Sequence, residues 1–203
     1  MIELFLDTAN TEAIIALLKD KKVLKQINII SNNDLSSNIF KYLEELFKDS
    51  NIAPNEVNKI YVSNGPGSFT GIRIGLSIAK VYAFTLNISL VPISTLEIMA
   101  SSSDESLIIP IIDARREHVY SGVYNGNLDK LEEEKYIHLE DLKTKYLNAL
   151  YLSYDSFDVS TTKPIINIEK VVNKHRDDKV PNAHSINPNY LKITEAEANL
   201  KND

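Results

Sequence analysis

Cysteine is missing from all 203 positions, which excludes disulfides, thiolate metal sites and a cysteine nucleophile. Basic charge is also scarce, since 22 Lys and Arg stand against 28 Asp and Glu for a formal net charge of −6. A phosphate backbone is gripped by clustered Lys and Arg, and no basic run of any length occurs, so the chain alone is not expected to hold nucleic acid. The N-terminus, Met1-Ile-Glu-Leu-Phe-Leu-Asp7, lacks the basic region and the long apolar run of a signal peptide. The longest uncharged run, Val81 to Leu96, is broken by Asn87 and Pro92 and is too short to span a bilayer. These absences lead to the expectation of a soluble, cytoplasmic protein without membrane contact.

What is present is organised around Ile60 to Phe84, which reads as strand, glycine turn and helix. Ile60, Tyr61 and Val62 are β-formers, and Gly65-Pro66-Gly67 is strong turn punctuation. Apolar residues then recur at helical spacing as Ile72, Leu76, Ala79 and Ala83. Ser68 or Thr70 can cap the first helical N–H groups. Glycines 65, 67 and 71 let backbone amides approach an anion at a helix N-terminus. Gly71, Gly75, Ala79 and Ala83 lie four apart and form one row of small side chains. A glycine inside a helix costs about 1 kcal/mol relative to alanine, so Gly75 needs the compensation of a closely approaching backbone, from this chain or from a partner. Arg73 sits in the helix's first turn, where a cation opposes the dipole. It calls for a bound anion, or for a surface carboxylate beside it.

Ile2 to Leu6 reads as a buried strand leading to Asp7-Thr8-Ala9-Asn10. Strands Ala13–Leu18 and Val23–Ile30 follow, joined tightly enough at Asp20-Lys21-Lys22 to be antiparallel neighbours. Leu35 to Phe47 is an amphipathic helix with Leu35, Ile39, Leu43, Leu46 and Phe47 on one face and Asp34 as its N-cap. After strand Ser89–Ile93, Ser94 and Glu97 are spaced as a capping box. Leu107 to Asp113 is a second apolar strand that ends in aspartate, followed by a short turn and strand Val119–Tyr124. This repeats the order of Leu4–Asp7, turn and Ala13–Leu18, as an internal duplication would. Beyond Tyr124 the expected elements are strand Glu132–His138, helix Leu139–Tyr151 and a strand running into a helix over Ile165–His175, with a polar tail. The Ser/Asp-rich link near Ser101–Ser106 divides the chain into lobes 1–101 and 102–203.

Asp7-Thr8-Ala9, Gly65-Pro-Gly-Ser-Phe-Thr-Gly-Ile-Arg-Ile-Gly75, Ser94-Thr-Leu-Glu-Ile-Met-Ala100, Ile112-Asp-Ala-Arg115 and Asn187-Pro-Asn-Tyr-Leu-Lys192 occur in the order of the TsaB (YeaZ) family, which the chain resembles closely. The resemblance implies an α/β fold of the actin-like ATPase class, with two duplicated lobes of mixed sheet flanked by helices. The second lobe is expected to be reduced, because the chain is short after Tyr124 and Tyr151–Ser156 lacks the glycines usual there. It also implies a non-catalytic scaffold and activator for N6-threonylcarbamoyladenosine formation at position 37 of tRNA. The implied partners are a TsaD-like paralogue and a TsaE-like ATPase, with tRNA met only through the complex and a homodimer when the chain is alone. The helices that make such contacts match Leu35–Phe47 and Gly71–Phe84, so Leu35, Ile39, Leu43, Gly71, Ile72, Gly75, Leu76, Ala79 and Ala83 are the expected interface. On this basis Gly75→Leu is expected to abolish partner binding and leave the fold mostly intact.

Three catalytic alternatives fit the residues less well. For nucleotide hydrolysis, the glycine loop lacks the Lys-Ser/Thr of a Walker A motif, and its third glycine falls one residue late for Gly-x-Gly-x-x-Gly. A weaker anion or nucleotide contact at Asp7, Thr8, Gly65, Gly67, Ser68, Thr70, Arg73, Asp113 and Arg115 stays open. No cofactor is assigned to this chain, with ATP or ADP admitted only at a complex interface. Metal chemistry would need paired histidines, and His118, His138, His175 and His184 form no such pair, so no metal site is expected. A peptidase reading fails because Gly-Pro-Gly-Ser68-Phe is not a nucleophile elbow. Arg115, Arg116 and Glu117 read either as a contact near the cleft or as a solvated turn.

Overall fold

The computed structural model describes residues 1–30, 35–178 and 182–192. Asp34, Pro181 and the tail after Lys192 lie outside them. The first lobe is a five-stranded sheet of β1 (Ile2–Asp7), β2 (Glu12–Lys19), β3 (Lys22–Ile30), β4 (Val57–Ser63) and β5 (Ser89–Ile93), in the order β3-β2-β1-β4-β5. The first three strands run antiparallel, and β4 and β5 join parallel to β1. Asp20 and Lys21 both take left-handed backbone angles, as a two-residue hairpin turn requires.

The second lobe repeats the plan with one strand fewer. Its strands β6 (Ile108–Asp113), β7 (His118–Tyr124), β8 (Lys130–His138) and β9 (Leu150–Leu152) stand in the order β8-β7-β6-β9, with β9 parallel to β6. The expected duplication is therefore real at the level of strand order, and the two mixed sheets flanked by helices are as expected. Two local expectations fail. The helix after β8, α4 (Leu139–Lys145), stops well before Tyr151, because Leu150-Tyr-Leu152 is drawn into pairing with β6. The expected strand at Ile165 is absent, and only the helix α5 (Ile168–Lys174) forms there.

Helices layer the sheets. One face of the first sheet is covered by α1 (Leu35–Ser50) and α2 (Phe69–Leu86), through Leu35, Ile39, Leu43, Ile72 and Leu76 among others. Its other face shares a continuous core with the second sheet. Phe5, Ile14, Tyr61 and Val91 meet Ile108, Ile112 and Tyr124 across Leu96 and Met99 of α3 (Thr95–Ala100) and Ile168 and Val171 of α5. The far face of the second sheet is closed by Leu142 of α4. After α5 the chain returns to the first lobe. Ile186 enters the core under α1 and α2, and the Asn189 amide donates to the Asn64 carbonyl at 2.7 Å.

Ser94 caps α3 by accepting from the Leu96 amide at 3.2 Å. Glu97 does not complete the box, because its carboxylate is taken by His175 Nε2 at 2.8 Å and Lys174 Nζ at 3.2 Å.

Candidate functional site

Two surfaces carry the residues picked out in the sequence: the joint between the lobes and the outer layer of α1 and α2. At the joint, β1 ends in Asp7, whose side chain is fully buried. Its Oδ1 accepts from the Ala9 amide at 3.1 Å, and its Oδ2 has no hydrogen-bond partner among the described residues. Burial holds its carboxyl above the usual range, against the hydrogen bonds of Ser63, Ala9 and Asn10. Thr8 is buried too, and its hydroxyl donates to the Gly71 carbonyl at 2.7 Å.

The glycine loop is filled by the chain itself. The Ser68 amide donates to the Ala9 carbonyl at 2.8 Å, and a Cβ on Gly67 would overlap that same carbonyl. At Gly65 a Cβ would stand 2.7 Å from the Asn189 carbonyl oxygen. Both glycines have positive φ, 110° and 147°. The Gly71 amide is met by Ser68 Oγ at 3.2 Å, so Ser68 and not Thr70 is the helix cap. The space beside Gly65 and Gly67 is taken by the chain's own backbone, with the Ala9 turn on one side and Asn189 on the other.

The opposite side of the joint is built by the turns after β6 and β9. Asp113 is exposed. Its Oδ1 accepts from the Arg115 amide at 2.9 Å, and its own amide donates to Asp155 Oδ2 at 3.2 Å. Arg115, Arg116 and Glu117 are exposed and have φ of 65°, 54° and 61°. Tyr154, from the segment that lacks glycines, packs into the core shared by the lobes. Burial pushes its hydroxyl's pKa up, and the charges of Asp7 and Glu12 add to the shift. The sequence held no signal for Tyr154. Among the described residues, no group of three or more His, Cys, Asp or Glu is arranged to hold a metal ion.

On α1 and α2 the interface named from the sequence needs correction. Leu35, Ile39, Leu43, Gly71, Ile72, Gly75, Leu76, Ala79 and Ala83 are all buried within the chain. A Cβ on Gly71 would overlap the Thr8 carbonyl and one on Gly75 the Thr8 hydroxyl, so the small row seats α2 on the end of β1. What the helices turn outward is a different apolar set: Phe84 (73% exposed), Phe40 (67%), Val81 (63%) and Phe69 (55%). Phe40, Phe69, Ile74 and Ile78 line a groove of about 410 Å³ between the helices, with Ser36, Ser77 and Arg73 at its margin. Among the described residues no carboxylate pairs with Arg73. Its guanidinium lies 3.9 Å over the Phe69 ring, and its Nε donates to Tyr190 Oη at 3.3 Å. Tyr190 also stacks on Phe69, with ring centroids 5.7 Å apart. Although α2 is long and apolar enough to cross a membrane by composition, its small row is part of the core.

Comparison with known proteins bears on the whole chain. The family model described as "TsaD: tRNA N6-adenosine threonylcarbamoyltransferase" matches residues 27–197. The tRNA threonylcarbamoyladenosine biosynthesis protein TsaB of Bacillus subtilis is 33% identical over 98% of this chain and 97% of its own length. The chain belongs to the TsaB family. The TsaB of Haemophilus influenzae is 34% identical over 58% of this chain and 51% of its own length. In structure, YeaZ from Pseudomonas aeruginosa superposes with a TM-score of 0.77 at 21% identity, covering 94% of this chain and 99% of that one, which supports the fold.

Proposed function

We propose that this TsaB-family chain is the accessory subunit of a tRNA threonylcarbamoyladenosine machine, and that it works by binding. It docks a TsaD-like paralogue on the outward face of α1 and α2 and holds that partner in its active arrangement, a population shift that needs only a few kcal/mol of differential affinity. The observation that carries the reading is the set of four large apolar side chains, Phe40, Phe69, Val81 and Phe84, left in solvent beside an apolar groove on those two helices. Exposed apolar surface of this kind marks protein interaction sites. The relatives' names support the pathway, and the match to a transferase family model supports a TsaD-like protein as the partner. The same face serves a homodimer when the partner is lacking. A TsaE-like ATPase, and ATP or ADP, join at the complex, where the tRNA is also met. Autonomous nucleotide hydrolysis is disfavoured by a glycine loop whose close approaches are already made by Ala9 and Asn189, and by an Asp7 sealed from solvent.

The test is light scattering after size exclusion, on the chain mixed with the TsaD-like protein of its own source. The wild type is expected at the heterodimer mass. Phe84→Asp and Phe40→Asp, both at exposed positions, are expected to run as uncomplexed folded protein. A wild type that stays uncomplexed with and without ATP overturns the reading.

A further inference from the structure

The cross-strand register of β7 and β8 puts four rings on one face of the ribbon: His118 opposite His138, and Tyr120 opposite Tyr136. His118 stacks on Tyr136 with centroids 4.5 Å apart, meets His138 edge-on at 5.0 Å, and Tyr136 tilts against Tyr120 at 5.9 Å. All four keep part of their surface in solvent. Cations flank the tract at both ends. The turn leading into His118 projects Arg115 and Arg116, whose guanidinium groups make no ion pair among the described residues. From the returning C-terminal segment, Lys192 places its Nζ 5.0 Å from the Tyr136 ring centre.

The nearby acids are each partnered, one of them by a ring of the tract. Glu117 faces His138 Nε2 at 3.3 Å, Glu134 accepts from the Tyr124 hydroxyl, and Asp113 accepts from the Arg115 amide. Three successive non-glycine residues with left-handed angles form the turn, a conformation disfavoured for each, and both of its arginines are exposed in the segment that leads into His118. The His118 ring is fixed by Nδ1 against the Arg116 carbonyl at 2.7 Å, which ties the ring to the turn. No basic run in the sequence announced this surface. The fold assembles it from residues far apart in the chain.

We propose that this face binds single-stranded RNA, with an unpaired base stacking on the His118–Tyr136 tract and Arg115 and Arg116 taking the adjoining phosphates. Stacked aromatics beside a few cations are the means by which proteins hold single strands without reading sequence, and bases splayed from a loop suit them where a duplex does not. The inference rests on the reading above, since a chain serving tRNA modification meets an RNA loop in its complex. It adds that this chain contributes a contact of its own.

The experiment is fluorescence anisotropy with a fluorescein-labelled single-stranded oligoribonucleotide, and with the same strand annealed to its complement. Each is titrated with the full chain across a range of salt. The single strand is expected to bind more tightly than the duplex. Arg115→Ala with Arg116→Ala should weaken it about tenfold and flatten the salt slope by about 1.4, the contribution of two phosphate contacts on a single strand. Tyr136→Leu should weaken it about tenfold, and Tyr136→Phe, which keeps the ring, should stay within about twofold of the wild type. No binding by the wild type, equal binding of the duplex, or variants that bind like the wild type would each overturn the proposal. Size exclusion of the same variants with the TsaD-like partner separates the two readings. A complex that forms without RNA binding removes this inference alone, whereas RNA binding without a complex removes the docking reading alone. Variants that keep RNA binding and lose the complex make the face a protein contact and also overturn the proposal.

Discussion

Gly75 occupies a point where α2 leaves no room for a side chain, because the Thr8 hydroxyl already fills the space a Cβ would take. That hydroxyl is committed, donating to the Gly71 carbonyl one turn earlier. Gly75→Leu is therefore expected to destabilise the fold by roughly 1–3 kcal/mol or more, as overpacking does, and a urea titration measures it. An unchanged midpoint would return the small row to the surface. His175 gives a second residue-scale prediction. Burial pushes its pKa down, but Glu97 and Asp178 outweigh that and hold it above its ordinary value of 6.5. A raised folded-state pKa means stabilisation fully present below 6.5 and lost as pH rises through the folded value. Glu97, drawn down by His175 and Lys174 despite its burial, contributes above 4.5 and loses its share as pH falls through its folded value. The melting temperature of the wild type should thus decline on the alkaline side, and His175→Gln should remove that decline. A His175→Gln profile parallel to the wild type would dismiss the ion pair's role.

At the scale of elements, the periodic residues of α2 mark its buried face. Its recurring Ile72, Leu76, Ala79 and Ala83 are apolar because they face β1 and β4. Solvent meets Phe69, Arg73, Val81 and Phe84, which fall at helical spacing on a stripe beside the buried one, and the pattern alone does not say which stripe faces the sheet. The segment that closes the chain is the other informative element. Asn182 to Lys192 contains no strand or α-helix, yet His184 lies edge-on to Phe84, Ile186 enters the core, and Tyr190 covers Phe69 and Arg73. It pins both ends of α2. Tyr190→Ala should cost about 1 kcal/mol or more through lost stacking and the lost Arg73 hydrogen bond, read by chemical denaturation. It should also weaken the partner complex by freeing Phe69. Retention of both quantities would make the segment a passive cover. The second-lobe elements were the least legible, because Leu150–Leu152 is a strand only where β6 offers a parallel edge.

Across the whole molecule, the core between the sheets belongs to neither lobe. Phe5 and Tyr61 of the first meet Ile112 and Tyr124 of the second through α3 and α5, and the buried Lys59 donates to the His175 and Arg176 carbonyls at the end of α5. A shared core couples unfolding, so calorimetry is expected to show one transition whose calorimetric and van't Hoff enthalpies agree. Two separated transitions would show that the lobes are independent.

The strand-and-turn order of the first lobe and the opening of the second, the helices α1 and α2 and the family itself were determined by the sequence, because each depends on residues close together in the chain or on a motif read directly. Whether the glycine row faced inward, what filled the glycine loop, which side of α1 and α2 remained for a partner, and the gathering of Arg115, Arg116, Tyr136 and Lys192 were decided only by the tertiary structure. Each of these turns on which backbone arrives from a distance: Thr8 under α2, Asn189 over Gly65, and Lys192 beside a ring 56 residues earlier in the chain. Local pattern specifies an apolar or small surface, and only packing specifies what covers it.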